Sequence, residues 1–203
     1  HADAALAVVD KPAGLLAVPG RGEAGRDNAW DRLRRELPDA LVVHRLDMAT
    51  SGLLLFARGA EAQRCLSRSF AEGAVAKRYL AVVFGQPREP SGRIDLPLGA
   101  DWPRRPRQKV DREQGKPSTT IWRRIDGAAA PGCARLELEP LTGRTHQLRV
   151  HLAAIGHPIA GDALYAEAEA LAAAPRLLLH AWRLGLRHPF SELALEFESA
   201  PDF

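Results

Sequence analysis

The apolar residues of this chain come in short runs that end at turn-forming or charged residues, and this pattern restricts its fold more than any other feature. Residues 5–10, 53–57 and 79–84 each form a run of strand length, and residues 11–14 (KPAG) follow the first as a turn. None of the apolar runs approaches the roughly 20 residues of a membrane-spanning helix. We therefore expect a chain that buries strands in a core and has no membrane partner.

Two stretches with helical spacing lie between these strands. Residues 28–37 carry apolar side chains at i, i+3 and i+7, with Asp27 or Asn28 as the N-cap and a proline just beyond. Residues 60–70 also have core spacing, and Gly73 is placed to end that helix. The first part of the chain therefore predicts both strands and helices.

The second half of the chain continues this mixture. Residues 119–125 and 134–139 are predicted strands, and in the second of them leucines alternate with charged residues. Residues 145–155 have helical spacing, with Thr142 or Thr145 as the N-cap. Two further apolar runs are predicted as strands: residues 177–179 and 193–197.

Residues 85–117 stand apart because they are rich in proline, glycine and arginine. This composition predicts a long excursion, a hairpin with little core of its own. Long connections in compact domains are more often functional than idle. The segment is therefore a candidate for contact with a partner.

These elements predict an α+β fold, in which a mixed, mostly antiparallel β-sheet is flanked by helices and loops. A chain of 203 residues can fill one core, so we expect residues 1–203 to form a single domain. The two cysteines, Cys65 and Cys133, lack the CxxC spacing of a metal site or a disulfide framework. We therefore expect a reducing, cytoplasmic setting, and we expect a monomer.

Positive charge is gathered in two stretches, although the formal net charge is only +3. Residues 101–116 hold six Lys or Arg against three Asp or Glu, and residues 176–188 hold three Arg, two His and no acid. Patches of one sign favour a polyanion as partner. A solvated surface is the alternative interpretation.

Asp47 is the first candidate for chemistry. A lone Asp in a loop is usually a turn former or a helix cap. Here it lies between the end of an apolar run and residues 50–52 (TSG), with His44 and Arg45 within three positions. A nearby arginine keeps a carboxylate ionised, which suits a nucleophile or a base.

The segment 143–151 (GRTHQLRVH) is the second candidate. On a helix, Arg149 lies at the edge of the apolar face and could reach a buried carboxylate; the alternative makes Arg144 and Arg149 surface charges. His146 and His151 are five positions apart, about 140° around a helix, so we expect no metal site there.

Tyr79 is the third candidate, because it opens an apolar strand next to Lys77 and Arg78. Such a tyrosine is usually a half-buried packing residue. It could instead present its ring to an unstacked nucleobase, which proteins commonly hold by stacking. The sequence leaves both interpretations open.

Five segments, read together and in order, resemble the RluA-type pseudouridine synthase family. Residues 44–52 (HRLDMATSG) match its catalytic motif, HRLDxxTSG, which is a specific signal. Residues 77–81 match its tyrosine segment, and residues 143–151, continuing through 156–158 and 161–162, match its arginine segment. Residues 9–15 match its N-terminal segment and residues 177–181 its C-terminal segment. The resemblance covers essentially the whole chain.

The resemblance implies the pseudouridine synthase catalytic fold, without the S4 RNA-binding domain that precedes it in other branches. It implies that Asp47 is the catalytic carboxylate, which attacks the ribose or the uracil ring or else removes a ribose proton. Arg149 would pair with Asp47, and Tyr79 would stack on the target uracil. Arg45 would enter the RNA in place of the flipped nucleotide. No cofactor is implied, because uridine is only rearranged.

The same resemblance implies RNA as the partner, with a 23S rRNA hairpin loop and the tRNA anticodon stem-loop as substrates. Four basic residues are expected to contact phosphates: Arg104, Arg105, Arg107 and Lys109. Three others are expected to shape the catalytic loop: His44, Thr50 and Gly52. Two rival functions remain at this point. One is a non-catalytic RNA-binding or assembly protein on this scaffold, and the other is a metal-dependent hydrolase built on His44, Asp47, His146 and His151.

Overall fold

The computed structural model describes the following residues: 1–20, 22–127 and 130–203. The chain forms two compact units. The first unit holds His1–Lys77 and His180–Asp202, so it is built from both ends of the chain. The second unit holds Arg78–Leu179 and Phe203. Each unit mixes strands with helices.

The elements are numbered in chain order. The strands are β1 (Leu6–Lys11), β2 (Ala40–Val42), β3 (Ser51–Arg58), β4 (Ala76–Phe84), β5 (Ser91–Asp95), β6 (Leu98–Ala100), β7 (Gln108–Val110), β8 (Thr119–Ile125), β9 (Cys133–Pro140), β10 (Leu179–Arg187) and β11 (Ala194–Glu198). The α-helices are α1 (Ala29–Arg34), α2 (Gly59–Ala71), α3 (Gln147–Ala154) and α4 (Ala168–Ala172). Within the described residues, no helix has the length and apolar character needed to cross a membrane.

Strand β3 is the centre of the sheet in the first unit. β1 lies antiparallel to it, with Lys11 opposite Gly52, and β2 lies antiparallel to its end. β10 lies parallel to its start, where His180 faces Ser51, and β11 pairs antiparallel with β10. The start of β3 is therefore held on both sides, directly after the loop that carries Asp47.

The core of the first unit is made of small and branched apolar side chains from β1, β3, α2 and β10. Its buried members are Ala5, Leu6, Val8, Leu53, Leu55, Ala57, Ala62, Leu66, Val75, Leu184 and Leu186. Strand β3 is buried from Ser51 through Ala57, which explains why residues 53–57 are continuously apolar rather than alternating. The replacement of one such leucine by Ala typically costs about 2–5 kcal/mol.

The two helices predicted in the first unit are confirmed, and the cap of the first is decided. Asn28 is the N-cap of α1, because its side chain accepts the Asp31 N–H at 2.9 Å. Asp27 instead forms an ion pair with Arg32. Just beyond α2, Gly73 has a φ of +73°, the left-handed conformation that glycine adopts at low cost.

The second unit contains a run of antiparallel strands in the order β4, β9, β8, β5. The alternation predicted along β9 is confirmed, since Leu136 and Leu138 are fully buried while Arg135 and Glu137 are only half-buried. β6 and β7 form a separate two-stranded hairpin. The pairing of the strands in this unit is therefore antiparallel, as the sequence predicts.

The segment 85–117 has more regular structure than its composition predicts. The hairpin is confirmed as β6 and β7. The expectation that the segment has little core of its own is wrong, because β5 joins the sheet and both Ile94 and Leu98 are 4% exposed. The sequence of β5, SGRID, has a single apolar residue, so its pairing with β8 rather than its own pattern makes it a strand.

Helix α3 begins later than predicted, and the predicted cap is wrong. Its N-cap is His146, which has a left-handed φ of 55° and no capping side-chain bond. Thr142 instead donates its hydroxyl hydrogen to Gln147 Oε1 at 2.6 Å, and the Arg144 N–H donates to the same oxygen at 3.1 Å. The side chain of the first helical residue therefore fixes the loop before α3, and Thr142 is a donor to it rather than a cap.

The strand predicted at 177–179 begins later and is longer, and of these three residues only Leu179 lies in β10. β10 starts at Leu179 and continues to Arg187, because its later residues alternate apolar side chains with arginine and glycine. The short helix α4 was not predicted at all.

Candidate active site

Asp47 lies in the loop of residues 44–50, between β2 and β3, which we call the catalytic loop. The Asp47 carbonyl oxygen accepts the Thr50 N–H at 3.1 Å, so the aspartate stands on a tight turn. Leu46 is 8% exposed and anchors this turn in the unit, while Arg45 points to solvent. The loop therefore fixes the backbone on both sides of the carboxylate and exposes the neighbouring arginine.

Lys11 ties the catalytic loop to the turn that follows β1. Its side-chain ammonium donates to the carbonyl oxygens of Pro12 at 2.9 Å, Leu15 at 2.8 Å and Met48 at 3.1 Å. Lys11 is 1% exposed, and desolvation lowers its pKa to about 8, although the negative charge of Asp47 opposes this shift. The sequence pointed to this segment as a turn but did not indicate that Lys11 holds the loop.

His44 braces the other end of the loop. The Leu55 N–H donates to His44 Nε2 at 3.0 Å, and the imidazole stacks on Phe70 with ring centres 4.5 Å apart. An acceptor at Nε2 assigns the ring proton to Nδ1. Desolvation lowers the pKa of His44 to about 3, and the charge of Lys77 adds to this effect. The imidazole is therefore neutral at pH 7.

The start of β3 leaves no room for side chains at one position. Gly52 has a φ of +105°, and a Cβ atom there would lie 2.4 Å from the Ala181 carbonyl oxygen. Next to it, Ser51 Oγ lies 2.9 Å from Nδ1 of the buried His180. Thr50 is 2% exposed. These contacts hold the end of the catalytic loop against β10.

In the second unit, Arg149 forms a buried ion pair. Its Nε and Nη2 donate to the two carboxylate oxygens of Asp162 at 2.8 and 2.7 Å. Arg149 is 5% and Asp162 0% exposed. The alternative that Arg149 is a surface charge is therefore wrong, whereas Arg144 is exposed. The sequence indicated a buried carboxylate for Arg149 but did not identify Asp162 as one.

Tyr165 stands beside this ion pair and was missed by the sequence analysis. Its Oη accepts the Gln108 N–H at 2.8 Å and lies 2.7 Å from His146 Nδ1. The guanidinium of Arg149 lies 5.1 Å from the centre of the Tyr165 ring. The signal was present, since Tyr165 follows closely after residues 161–162 of the arginine segment.

His151 is a buried structural residue. Its Nδ1 lies 2.9 Å from Thr120 Oγ1 and its Nε2 lies 3.0 Å from the Leu96 carbonyl oxygen. Desolvation lowers its pKa. Among residues 1–20, 22–127 and 130–203, no three His, Cys, Asp or Glu side chains are grouped as metal ligands would be.

Tyr79 is half-buried on β4, directly opposite Leu138 of β9. Its neighbour Arg78 forms ion pairs with Glu139 at 2.6 Å and Glu137 at 3.5 Å. β4 begins at Ala76, three residues earlier than predicted, so Tyr79 lies within the strand rather than at its start. Its partly exposed side chain fits either of the two interpretations.

The predicted phosphate-binding residues lie on β6, β7 and the turn between them, residues 98–110, which we call the basic hairpin. Arg104 pairs with the buried Asp101 at 2.7 Å, which anchors the turn. The Arg105 guanidinium lies 3.4 Å from the centre of the Trp102 ring, and Trp102 is 67% exposed. Trp102 was not singled out, although an aromatic residue within a basic run is a feature of nucleic-acid-binding surfaces.

Residues 5–154 match the family model described as RNA pseudouridylate synthase. This chain is a member of the RNA pseudouridylate synthase family. As such it isomerises uridine to pseudouridine in RNA, and neither the metal-dependent hydrolase nor the non-catalytic RNA-binding protein is favoured.

Two curated relatives align with the whole chain. The Escherichia coli K12 protein named dual-specificity RNA pseudouridine synthase RluA is 49% identical over 203 residues, which are 100% of this chain and 92% of that protein. The Yersinia pestis protein of the same name is 46% identical over 203 residues, 100% of this chain and 98% of its own length. The resemblance to the RluA-type family is therefore confirmed.

A solved structure supports the predicted fold class. Human RNA pseudouridylate synthase domain containing 1 has a TM-score of 0.83 and 31% identity, covering 100% of this chain and 82% of the human chain. The α+β synthase fold, with a mostly antiparallel sheet flanked by few helices, is confirmed.

Proposed function

We propose that this pseudouridine synthase modifies two structured RNAs, a hairpin loop of 23S rRNA and the tRNA anticodon stem-loop. The observation that carries the proposal is the 49% identity, over the entire chain, to a synthase named for dual specificity. The basic hairpin supports it, because a segment that binds backbone phosphates can serve RNAs of different sequence.

In the proposed reaction Asp47 is the catalytic carboxylate. The N1–C1′ bond breaks, the uracil rotates while it is held, and C5 bonds to C1′. C5 then loses its hydrogen as a proton and N1 gains a proton, so the product is an isomer of the substrate. Two routes remain for Asp47: attack on the ribose or uracil ring, or removal of a ribose proton. Nothing is oxidised and no group departs, so the chemistry requires no cofactor. Exclusion of water matters, because hydrolysis of the opened bond would destroy the substrate.

Tyr79 and Arg149 serve the same reaction in this proposal. Tyr79 stacks on the uracil and keeps it from leaving while the bond is open. Arg149 is the cation that keeps the Asp47 carboxylate charged. The bidentate pair with Asp162 supports a fixed orientation for the Arg149 guanidinium, because two parallel hydrogen bonds define its plane.

The catalytic loop is shaped by His44, Thr50 and Gly52, and Lys11 joins them in this role. His44 accepts the Leu55 N–H, and Lys11 donates to the Met48 carbonyl oxygen, so both side chains hold backbone at or near the loop. A loop that is braced at both ends keeps its carboxylate oriented without rearrangement during the reaction.

RNA is held by Arg45 and by the basic hairpin. Arg45 is exposed next to Asp47 and replaces the flipped nucleotide, which offsets part of the few kcal/mol lost in unstacking. Arg104, Arg105, Arg107 and Lys109 contact phosphates. Trp102, exposed and backed by the Arg105 guanidinium, offers its ring to an unpaired base.

The test is tritium release from uridine C5 in transcripts of tRNA and 23S rRNA, with wild-type and Asp47→Asn protein in EDTA. We expect wild type to release tritium from both transcripts and Asp47→Asn to release none. Release from only one transcript would contradict dual specificity. No release from either transcript, with equal binding of RNA by both proteins, would contradict the proposed substrates.

We also propose that the protein is a monomer in the cytoplasm, where both RNAs are found. Cys65 and Cys133 are not joined in a disulfide, as a reducing compartment requires. Sedimentation equilibrium at micromolar concentration should return the mass of one chain. A dimer mass would contradict the proposal.

A further inference from the structure

One hydroxyl group links the basic hairpin to the start of α3. Tyr165 Oη accepts the backbone N–H of Gln108, at the beginning of β7, at 2.8 Å. The same oxygen lies 2.7 Å from Nδ1 of His146, the N-cap residue of α3. A backbone N–H only donates, so the contact to His146 is made by the phenol proton or by the imidazole proton. In both cases the two elements share one oxygen atom.

The ring of Tyr165 carries a second link. The guanidinium of Arg149 lies 5.1 Å from the ring centre, and that of Arg107, on the basic hairpin, lies 5.3 Å from it. Both distances are those of cation–π contacts. Arg107, which is proposed to bind phosphate, and Arg149, which is proposed to serve catalysis, therefore contact the same aromatic ring.

A third link runs through Asp162. Its Oδ1 accepts the backbone N–H groups of Leu164 at 2.9 Å and Tyr165 at 3.3 Å, while both of its oxygens hold Arg149. The backbone of Tyr165 and the side chain of Arg149 are thus fixed by one buried carboxylate. A movement of Tyr165 therefore changes the position of the Arg149 side chain.

The backbone of His146 adds a constraint to this assembly. Its φ of 55° and ψ of 18° lie in the left-handed region that a residue with a side chain rarely adopts. Such a conformation persists only where the surroundings hold it. The contact with Tyr165 Oη is one of the interactions that do so.

We propose that Tyr165 is a positioning residue that couples RNA binding by the basic hairpin to the orientation of Arg149. The inference rests on the proposed roles of the hairpin and of Arg149. When the hairpin binds phosphates, its contacts through Gln108 and Arg107 fix the position of Tyr165. The Tyr165 ring and Asp162 then fix the orientation of the Arg149 guanidinium. In this proposal Tyr165 acts through Arg149 rather than on the uridine itself.

The experiment uses Tyr165→Phe, which removes the hydroxyl and retains the ring. Three quantities are measured on the full chain: the Kd for a tRNA transcript, the single-turnover rate of tritium release at saturating protein, and hydrogen exchange at the Gln108 amide. We expect the Kd to stay within about threefold, the rate to fall by about tenfold to a hundredfold, and exchange to accelerate locally at Gln108.

The matched control is Ser118→Ala. It removes another hydroxyl of the second unit, which donates to the Lys116 carbonyl oxygen at 2.9 Å. Ser118 is 3% exposed. Its rate and its Gln108 exchange should equal those of wild type. A comparable loss of rate in this control would mean that any lost hydroxyl loosens the unit, and it would overturn the proposal.

Two results for Tyr165→Phe would overturn the coupling. One is a rate within about twofold of wild type, and the other is accelerated exchange throughout the second unit with the Kd and the rate impaired together. The combined variant Arg104→Gln, Arg105→Gln, Arg107→Gln distinguishes a failure of the coupling from a failure of the proposed RNA binding by the hairpin. Unchanged RNA affinity in it would remove both proposals, whereas weakened affinity beside a normal Tyr165→Phe rate would remove only the coupling.

Discussion

At the scale of single residues, Lys11 is a buried lysine whose charge interacts with that of Asp47. Desolvation lowers its pKa to about 8 from an ordinary value of 10.5. Between these two pH values the unfolded chain binds more protons at Lys11 than the folded chain does, so the free energy of unfolding rises with pH across this window. Below pH 8 both states are protonated, and the full desolvation cost is present.

We therefore expect Lys11→Met to lack this rise in the free energy of unfolding. Urea unfolding of wild type and variant from pH 7 to 10.5 gives the two profiles, and their difference isolates Lys11. The control is Lys116→Met, at an exposed lysine, which should keep the wild-type profile. A rise of equal size in Lys11→Met would show that Lys11 does not titrate in this range.

The buried pair of Arg149 and Asp162 makes a simple deletion of Arg149 ambiguous. Arg149→Met leaves a fully buried carboxylate without its cation, a change that typically destabilises a protein by about 3–5 kcal/mol. We expect the double variant Arg149→Met, Asp162→Asn to recover much of this stability, because no buried charge remains. We expect it to bind RNA but not to release tritium.

Thermal unfolding and the tritium assay check this prediction together. Turnover in the stable double variant would remove Arg149 from the reaction. Asp162→Asn alone serves as the control for the loss of the carboxylate, and it should retain part of the activity because the arginine is still present.

Gly52 is a position where tertiary contact forbids a side chain. A Cβ there would lie 2.4 Å from Ala181 O and 2.7 Å from Ala181 N, so β3 and β10 would have to separate. We expect Gly52→Ala to lower the free energy of unfolding by clearly more than the roughly 1 kcal/mol expected for a left-handed conformation alone. Gly59→Ala is the matched control, since Gly59 has a φ of +78° and a Cβ there would have nothing within 4 Å.

The comparison of the two glycine variants in urea separates backbone strain from the clash. If Gly52→Ala and Gly59→Ala lower stability equally, the contact with Ala181 costs nothing. In that case the motif glycine would be required for another reason.

At the scale of elements, the salt dependence of RNA affinity tests whether the basic hairpin binds phosphates. Each phosphate neutralised contributes about 0.7 to 0.9 to the slope of log affinity against log salt concentration. We expect the combined variant Arg104→Gln, Arg105→Gln, Arg107→Gln to bind tRNA more weakly and to flatten this slope by about 2. Filter binding between about 50 and 200 mM salt measures it.

The control for the hairpin removes the same charge elsewhere. Arg34, Arg64 and Arg68 are exposed in the first unit, and their replacement by Gln lowers the net charge equally. This variant should keep the wild-type slope. Equal slopes in both variants would mean that overall charge, rather than the hairpin, attracts the RNA.

The elements differ in how far their own sequence determines them. β9 was predicted within a residue at each end, because Leu136 and Leu138 alternate with polar residues and both become buried. β5 was missed because its strand character comes from its partner β8. The cap predicted for α3 was wrong because the Thr142 hydroxyl donates to Gln147, and the helix begins at Gln147, five residues beyond Thr142.

At the scale of the whole molecule, the single domain expected for residues 1–203 remains a prediction, since the chain forms two compact units. The first unit needs both ends of the chain, because Leu184 and Leu186 complete its core. We expect one cooperative unfolding transition. Trp30 lies in the first unit and the buried Trp122 in the second. Variants in which one of these two is the only tryptophan left of the four therefore report each unit by fluorescence.

The two single-tryptophan variants should give the same midpoint as circular dichroism of the same protein. Two separate midpoints, each reported by one tryptophan, would contradict the single domain. The wild-type protein, followed by circular dichroism, controls for destabilisation caused by the tryptophan replacements.

The sequence by itself determined the family and the fold class, and it singled out Asp47 as the candidate carboxylate, because all three depend on motifs and periodicities that lie close together along the chain. Only the tertiary structure decided which carboxylate holds Arg149 in its unit, that Lys11 ties the catalytic loop, and that Tyr165 joins the hairpin to α3. Each of these contacts links residues that are far apart in sequence or bonds a side chain to a backbone atom. Such pairings leave no pattern in one sequence, since they arise from how the elements pack and from the need to satisfy polar groups once they are buried.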